Sequence, residues 1–386
     1  MKTILVIFGG RSVEHDISII TGQFVISALK ATGQYEVAPL YISRDGKWYS
    51  DPSLGRLRTF QDGSLDRILS GVQSVIVGFE NHLTLNWAKK IGTKSQTIDI
   101  VFPALHGTYG EDGSIQGLLR FAKIPVVGCD LEASVVAMNK ALTNHILGAA
   151  GIPKVPFVAF TAAEYAESQK TIDQRIKAMT MPLFVKPAHL GSSIGITRVT
   201  KADQLAAAIE VAFHYDDAVV IEHGITDPIE INCAVLGNDN PCASVLERPL
   251  QKSDFLNFED KYVASGSKGG SMTGAKSTVQ IPADIKPKLA EQITSLALKS
   301  FKAIGGSGTA RFDFLIDPKT DKVYLNEINP LPGSLQQHLW QASGVSNIEL
   351  VSKLVSFAEE RFIAKSNVTT TFSSSVLTQR AGSKSL

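Results

Sequence analysis

An α/β architecture, with a parallel sheet at its amino-terminal end that gives way to mixed α+β segments, is the fold class the sequence predicts. Three observations carry it. Within "KTILVIFGG", Ile4–Phe8 is an unbroken apolar run followed by two glycines, the pattern of a strand buried on both faces. A helix-period stretch from about Asp16 to Lys30 follows, and "YEVAPLYI" (Tyr35–Ile42) then reads as strand. "TIDIVFPAL" (Thr97–Leu105) as strand, "SIQGLLRFAK" as helix and "IPVVG" as strand repeat the alternation. A chain of 386 residues exceeds one ordinary core, so two or three domains are expected.

The first domain is expected to span 1–130, with the aperiodic region 44–96 as an elaboration of it. In the second, 131–225, "EASVVAMNKALTNHILGAAG" predicts one helix. "KVPFVAF", "MPLFVKP" and "DAVVIEHGI" predict strands, hence an α+β subdomain. In the third, 226–362, alternating strands predominate. "KYVASGSKGGSMTGAKS", which has neither period, is expected to form a mobile lid over about 261–277. The Ser/Thr-rich residues 363–386 are expected to be a flexible tail.

A 44% hydrophobic and 19% charged composition is that of a globular chain, and a net charge of +1 offers no field for nucleic acid or an anionic membrane. A small-molecule partner is therefore expected. Cys129, Cys233 and Cys242 show no C-x-x-C spacing, which argues against a disulfide framework and suits a reducing compartment. The opening apolar run stops at Phe8, unlike a signal peptide, and no run approaches the roughly 18 residues of a membrane span. A cytoplasmic location is expected.

Chemistry concentrates at a few places. "TARFDFLID" and "KVYLNEIN", separated by "PKTD", read as an antiparallel hairpin. Strand alternation then puts Arg311 with Asp313, and Glu327 with Asn329, on common faces. Two carboxylates, an amide oxygen and a cation gathered there suit Mg²⁺, although an ordinary ion pair on a solvated face gives the same pattern. In "FVKPAHLGSSIGITRV", Lys186 precedes a Gly/Ser loop that offers an ammonium and backbone N–H groups to a phosphate, or is a plain turn. Glu222 and Glu230 in "IEHGITDPIE" flank a short connection that fits a purine and ribose, or a polar linker. Gly9-Gly10 is followed by "RSVEHD", so no dinucleotide fingerprint is present.

In this order, "GGRSVEHDIS", "HGTYGEDGSIQG", "MNK", "VKPAHLGSSIG", "IEHGITDPIE", "EDKY", "ARFDFLID" and "NEINPLPG" resemble the D-alanine–D-alanine ligases of the ATP-grasp superfamily, from Lys2 to about residue 360. The resemblance implies a three-domain ATP-grasp fold with an amino-terminal parallel sheet. It also implies ATP-dependent joining of two D-alanines through an acyl phosphate, for peptidoglycan precursors. Carried over, Lys140, Lys186 and Ser193 would meet ATP phosphates, Glu222 and Glu230 the adenine and ribose, and the Ile225 backbone the purine. Asp313, Glu327 and Asn329 would bind two Mg²⁺ ions, for which Mn²⁺ can substitute. Glu14 would hold the first ammonium in a hydrogen-bonded group with Ser192 and Tyr262. Arg311 and the Gly333 N–H would stabilise the oxyanion. His106, Lys261, His338 and Leu339 would form the remaining substrate contacts.

The resemblance also implies an amine rather than a hydroxyl acceptor, because family members that make the D-lactate ester typically lack the tyrosine that stands here as Tyr262. The segment "PGSLQQHL" departs from the family pattern "PGMTSHSL", so that His338 falls where a serine contacts the acceptor carboxylate. Two alternatives therefore stay open: an ATP-grasp ligase with a different amino-acid or hydroxy-acid acceptor, and a non-catalytic nucleotide-binding relative. Family members are often homodimers, but no stretch here identifies an interface.

Overall fold

The computed structural model describes residues 1–79, 82–88, 93–250 and 279–374. β1 (Lys2–Gly9) and β2 (Tyr35–Ile42) pair in parallel from Lys2↔Tyr35 to Gly9↔Ile42, with α1 (His15–Thr32) as the crossover. β1 leaves the sheet through Gly9 at φ +91°, where an added Cβ would lie 2.3 Å from the Ile42 carbonyl oxygen, so only glycine fits. β3 (Trp48–Tyr49) pairs antiparallel with β2. β4 (Ile76–Phe79), β5 (Leu83–Ala88) and β6 (Thr93–Ile98) form a separate antiparallel sheet. β7 (Ile100–Pro103) returns beside β1 and completes the order β3-β2-β1-β7.

The run Thr97–Leu105 is thus not one strand. Asp99 interrupts it, accepting the Thr3 N–H on its carboxylate at 2.7 Å and donating its own N–H to the Thr3 carbonyl, and the two halves join different sheets. "IPVVG" supplies a single bridge, Val126 to Val101, rather than a strand. The single helix expected over 132–151 is two, Leu131–Met138 and Lys140–Ala149. Between them Asn139 is extended, and its side-chain oxygen accepts the Leu142 N–H as an N-cap. The break sets Lys140 at the start of a helix.

β8 (Phe157–Thr161), β9 (Leu183–Pro187), β10 (Thr197–Val199) and β11 (Ala218–His223) form an antiparallel sheet in the order β10-β9-β11-β8. β12 (Ile229–Gly237) and β13 (Cys242–Ala243) begin the next sheet. β14 (Arg248–Pro249) and β15 (Val279–Gln280) pair with each other. β16 (Gly308–Ile316) and β17 (Val323–Asn329) complete the order β13-β12-β16-β17.

The region expected to be mostly strand also holds two long helices, Pro287–Ala303 and Asn347–Ser366. The first buries Leu289, Ile293, Ala297 and Phe301, an i,i+4 stripe. The second runs past residue 362 to Ser366, so any tail begins later than expected. Its Leu350, Val351, Leu354 and Val355 share one core with Ile4, Val6 and Phe8 of β1 and with Leu331, Leu335 and Trp340 of the chain after β17. That shared core brings the end of the β16–β17 hairpin against α1.

Candidate active site

In β16 and β17 the register sets Arg311 opposite Asn329 and Asp313 opposite Glu327, so alternation puts all four on one face. The Arg311 guanidinium donates to both Asp313 oxygens at 2.6 Å, and Asn329 Nδ2 donates to Asp313 Oδ2 at 3.0 Å. Burial pushes the Asp313 carboxyl above the usual range against the pull of Arg311, and the adjacent Glu327 carboxylate pushes the same way. For Arg311, burial acts downward but Asp313 outweighs it, so the guanidinium stays charged. Two crowded carboxylates and an amide oxygen are a hard donor set that relaxes when a divalent cation sits among them, which fits Mg²⁺.

These four residues line one cavity together with Glu14, His106, Lys140, Ser192, Glu230 and Gly333. Glu14 is buried at the start of α1, and Ser192 Oγ donates to its Oε1 across 178 positions of sequence. Ser192 and Ser193 both have left-handed backbones (φ 53° and 59°), a tight turn whose successive amides can face an anion. His106 and Glu111 are also buried here, with Nδ1 and Oε1 3.9 Å apart, and Glu111 Oε2 accepts the Gly107 N–H at 2.7 Å. Lys140 Nζ donates to the Leu190 carbonyl, and burial lowers its pKa although Glu327 opposes.

A second cavity takes Lys186, Ser193, Glu222 and Ile225, and shares Glu230 and Glu327 with the first. β9 and β11 run antiparallel with Lys186 opposite Val220, so Lys186 and Glu222 are diagonal neighbours on one face and pair at 2.6 Å. Burial works to raise the Glu222 pKa, but Lys186 and Lys154 outweigh it and hold the carboxyl down at about 2. Asn144 Nδ2 adds a hydrogen bond at 2.9 Å.

His338 and Leu339 line neither cavity. Leu339 is fully buried, and His338 pairs through Nε2 with the buried Glu247, which does line the first cavity. Glu247 stays below the usual carboxylate range because His338 overcomes its burial. Lys261, Tyr262 and the expected lid at 261–277 lie outside the described residues.

The motifs did not point to Glu247, Asn144 or Lys154. Lys154 Nζ donates to the carbonyls of Leu325 and Asn326 at 2.6 and 3.1 Å, clamping β17 just before Glu327, and its only sequence signal is a lysine beside an apolar strand. Burial pushes its pKa from 10.5 down to about 8, against the pull of Glu222. Between those two values the unfolded chain binds more protons, so this residue makes stability rise with pH, by up to about 3 kcal/mol across the window. Chemical denaturation at pH 8 and pH 10 checks this: the stability of Lys154→Met should lack that rise, and an identical rise in both proteins would reject the assignment.

Among the described residues, no helix is long and apolar enough to cross a membrane. The family model described as the D-ala D-ala ligase N-terminus matches residues 3–129, and the one described as the C-terminus matches 146–356. The chain is 38% identical over 377 residues to a D-alanine–D-alanine ligase of Acetivibrio thermocellus, covering 94% of this chain and 96% of that one. It is 36% identical over 377 residues to D-alanine–D-alanine ligase A of Escherichia coli, covering 95% and 98%. Among solved structures, the D-alanine-D-alanine ligase from Coxiella burnetii superposes with a TM-score of 0.78 at 30% identity, covering 95% of this chain and 96% of that chain. The VanG D-Ala:D-Ser ligase from Enterococcus faecalis also gives 0.78 at 30% identity, covering 92% and 99%. Two family models over nearly the whole length, and relatives and structures of the same kind, establish that this chain belongs to the D-alanine–D-alanine ligase family and has its ATP-grasp fold.

Proposed function

We propose that the protein joins two D-alanines at the expense of ATP, and that the cavity between Glu14 and the β16–β17 hairpin is where it does so. The observation that carries this reading is the convergence of Glu14, Lys140, Arg311, Asp313, Glu327 and Gly333 on one cavity from three separate parts of the chain. A module that only bound nucleotide would have no need of Glu14 or of an oxyanion group. The working division is 1–130, 131–225 and 226–362.

In this reading the adenine and ribose lie in the second cavity against Ile225, Glu222 and Glu230, with Lys186 and Ser193 toward the phosphates. Glu14, held by Ser192, takes the ammonium of the first D-alanine and leaves its carboxylate facing the γ-phosphate. Attack gives an acyl phosphate and ADP, and Lys140 and Lys186 offset the repulsion between two anions. Asp313, Glu327 and Asn329 would hold Mg²⁺, which when bound neutralises phosphate charge. The amine of the second amino acid then attacks the acyl carbon, with Arg311 and the Gly333 N–H stabilising the oxyanion, and loss of phosphate leaves the dipeptide.

His338, paired with the Glu247 that lines this cavity, favours a second reading, in which the acceptor is a different amino acid or a hydroxy acid; the name of the Enterococcus faecalis relative indicates D-serine for that enzyme. Phosphate release from ATP, measured with D-alanine, D-serine, D-lactate and L-alanine, separates the readings. D-Alanine alone should support full turnover. Faster turnover of D-alanine paired with D-serine or D-lactate would select the second reading, and no amino-acid-dependent release would overturn both.

A further inference from the structure

The face of α1 that looks into the protein carries two hydroxyls one turn apart, Ser18 and Thr21, both fully buried. Ser18 Oγ donates to the Ala104 carbonyl at 2.6 Å and accepts the Gly9 N–H at 2.8 Å. It thereby ties α1 to the chain leading into His106. Thr21 reaches further: its Oγ1 lies 2.8 Å from His106 Nε2 and accepts the Ser334 N–H at 3.0 Å, a contact across 313 positions of sequence. Ser334 directly follows Gly333, so one side chain touches both the histidine and the turn that presents the Gly333 amide.

That turn is strained. Ser334, Leu335 and Gln336 have left-handed backbones in succession (φ 44°, 56° and 52°), a conformation disfavoured for any residue with a Cβ. It keeps its shape because Leu335 is sealed in the shared core and because Thr21 holds its first amide.

Two contacts then point to one state of the histidine. A threonine hydroxyl has one proton, and Thr21 Oγ1 accepts from Ser334. Among the described residues the acceptor within reach of that proton is His106 Nε2, an arrangement in which Nε2 is the bare nitrogen and Nδ1 carries the hydrogen. Nδ1 is the nitrogen 3.9 Å from Glu111, on the side of the cavity that Glu14 also lines.

We propose that Thr21 is a positioning residue for the ligation reaction: its hydroxyl fixes His106 as the Nδ1–H tautomer and registers the Gly333–Ser334 turn against α1. The proposal rests on the ligase reading for its kinetic consequence but not for its tautomer.

Two measurements test it on the full chain. In ¹⁵N-labelled wild-type protein at pH 7.5, His106 should show a protonated Nδ1 and an unprotonated Nε2. Thr21→Val, which keeps the shape and removes the hydroxyl, should lose that preference, and Thr21→Ser should keep it. With ATP and D-alanine, Thr21→Val should lower kcat by about tenfold to a hundredfold with the ATP KM within twofold of wild type, and Thr21→Ser should stay close to wild type. A wild-type His106 protonated at Nε2 would overturn the proposal, as would Thr21→Val with unchanged kcat. If Thr21→Val does not fold, the wild-type spectrum and Thr21→Ser still decide. If no D-amino acid supports turnover, the ligase reading fails while the tautomer result stands independently.

Discussion

Arg311→Met is expected to cost about 10²–10³-fold in kcat and several kcal/mol of stability together. In the proposed mechanism, the catalytic loss follows from removing a donor aimed at the developing oxyanion. The stability loss follows from burial: the Asp313 side chain is 4% exposed and takes both its strongest hydrogen bonds from this guanidinium. Without that partner its charge is stranded, and the carboxyl escapes only by taking up a proton. Arg311→Lys keeps the charge but not the planar two-pronged fit, so it should recover part of the stability and little of the rate. Phosphate release under saturating substrates, read beside thermal melts, separates the two effects. A destabilised variant with wild-type kcat would reduce Arg311 to a mere partner of Asp313.

The second large effect is expected at Lys186. Lys186→Met leaves Glu222 buried with Lys154 and Asn144 but without its closest cation. The ATP KM should rise about tenfold or more, and stability at neutral pH should fall by a few kcal/mol. The sign of the pH dependence identifies the cause. Glu222 is held at about 2, so its stabilising pairing is complete above the ordinary carboxylate range and disappears as pH falls toward 2. The deficit of the variant should therefore be largest near pH 7 and shrink between about pH 4 and pH 2. Urea denaturation at several pH values reads it out, and a deficit independent of pH would show that lost packing, not lost charge, is responsible.

Much of this architecture is written in local patterns. β1 and the buried half of β2 stand where apolar runs put them, because a strand covered on both faces has nowhere to place a polar side chain. The β16–β17 hairpin, and with it the common face of Arg311, Asp313, Glu327 and Asn329, follows from two-residue alternation and a turn sequence. The errors have physical causes too. One asparagine side chain capped a new helix inside a stretch with uniform helical period, and one aspartate divided a continuous apolar run between two sheets. The residues that support the site were the least visible. Thr21 looks like any small residue on a buried helix face, and its partners lie 85 and 313 positions away. Glu247 and Lys154 likewise owe their roles to contacts across the fold.

The shared core has a consequence for how the chain is made. Ile4, Val6 and Phe8 leave the ribosome well before the far end of this core, Leu350, Leu354 and Val355. α1 can cover β1 early, but the side of α1 that meets the helix Asn347–Ser366 stays open through most of synthesis. The β8–β11 sheet, whose strands pair entirely within residues 157–223, can close long before that. The β8–β11 sheet can therefore settle before this core is complete, because α1 waits there for residues 331–358.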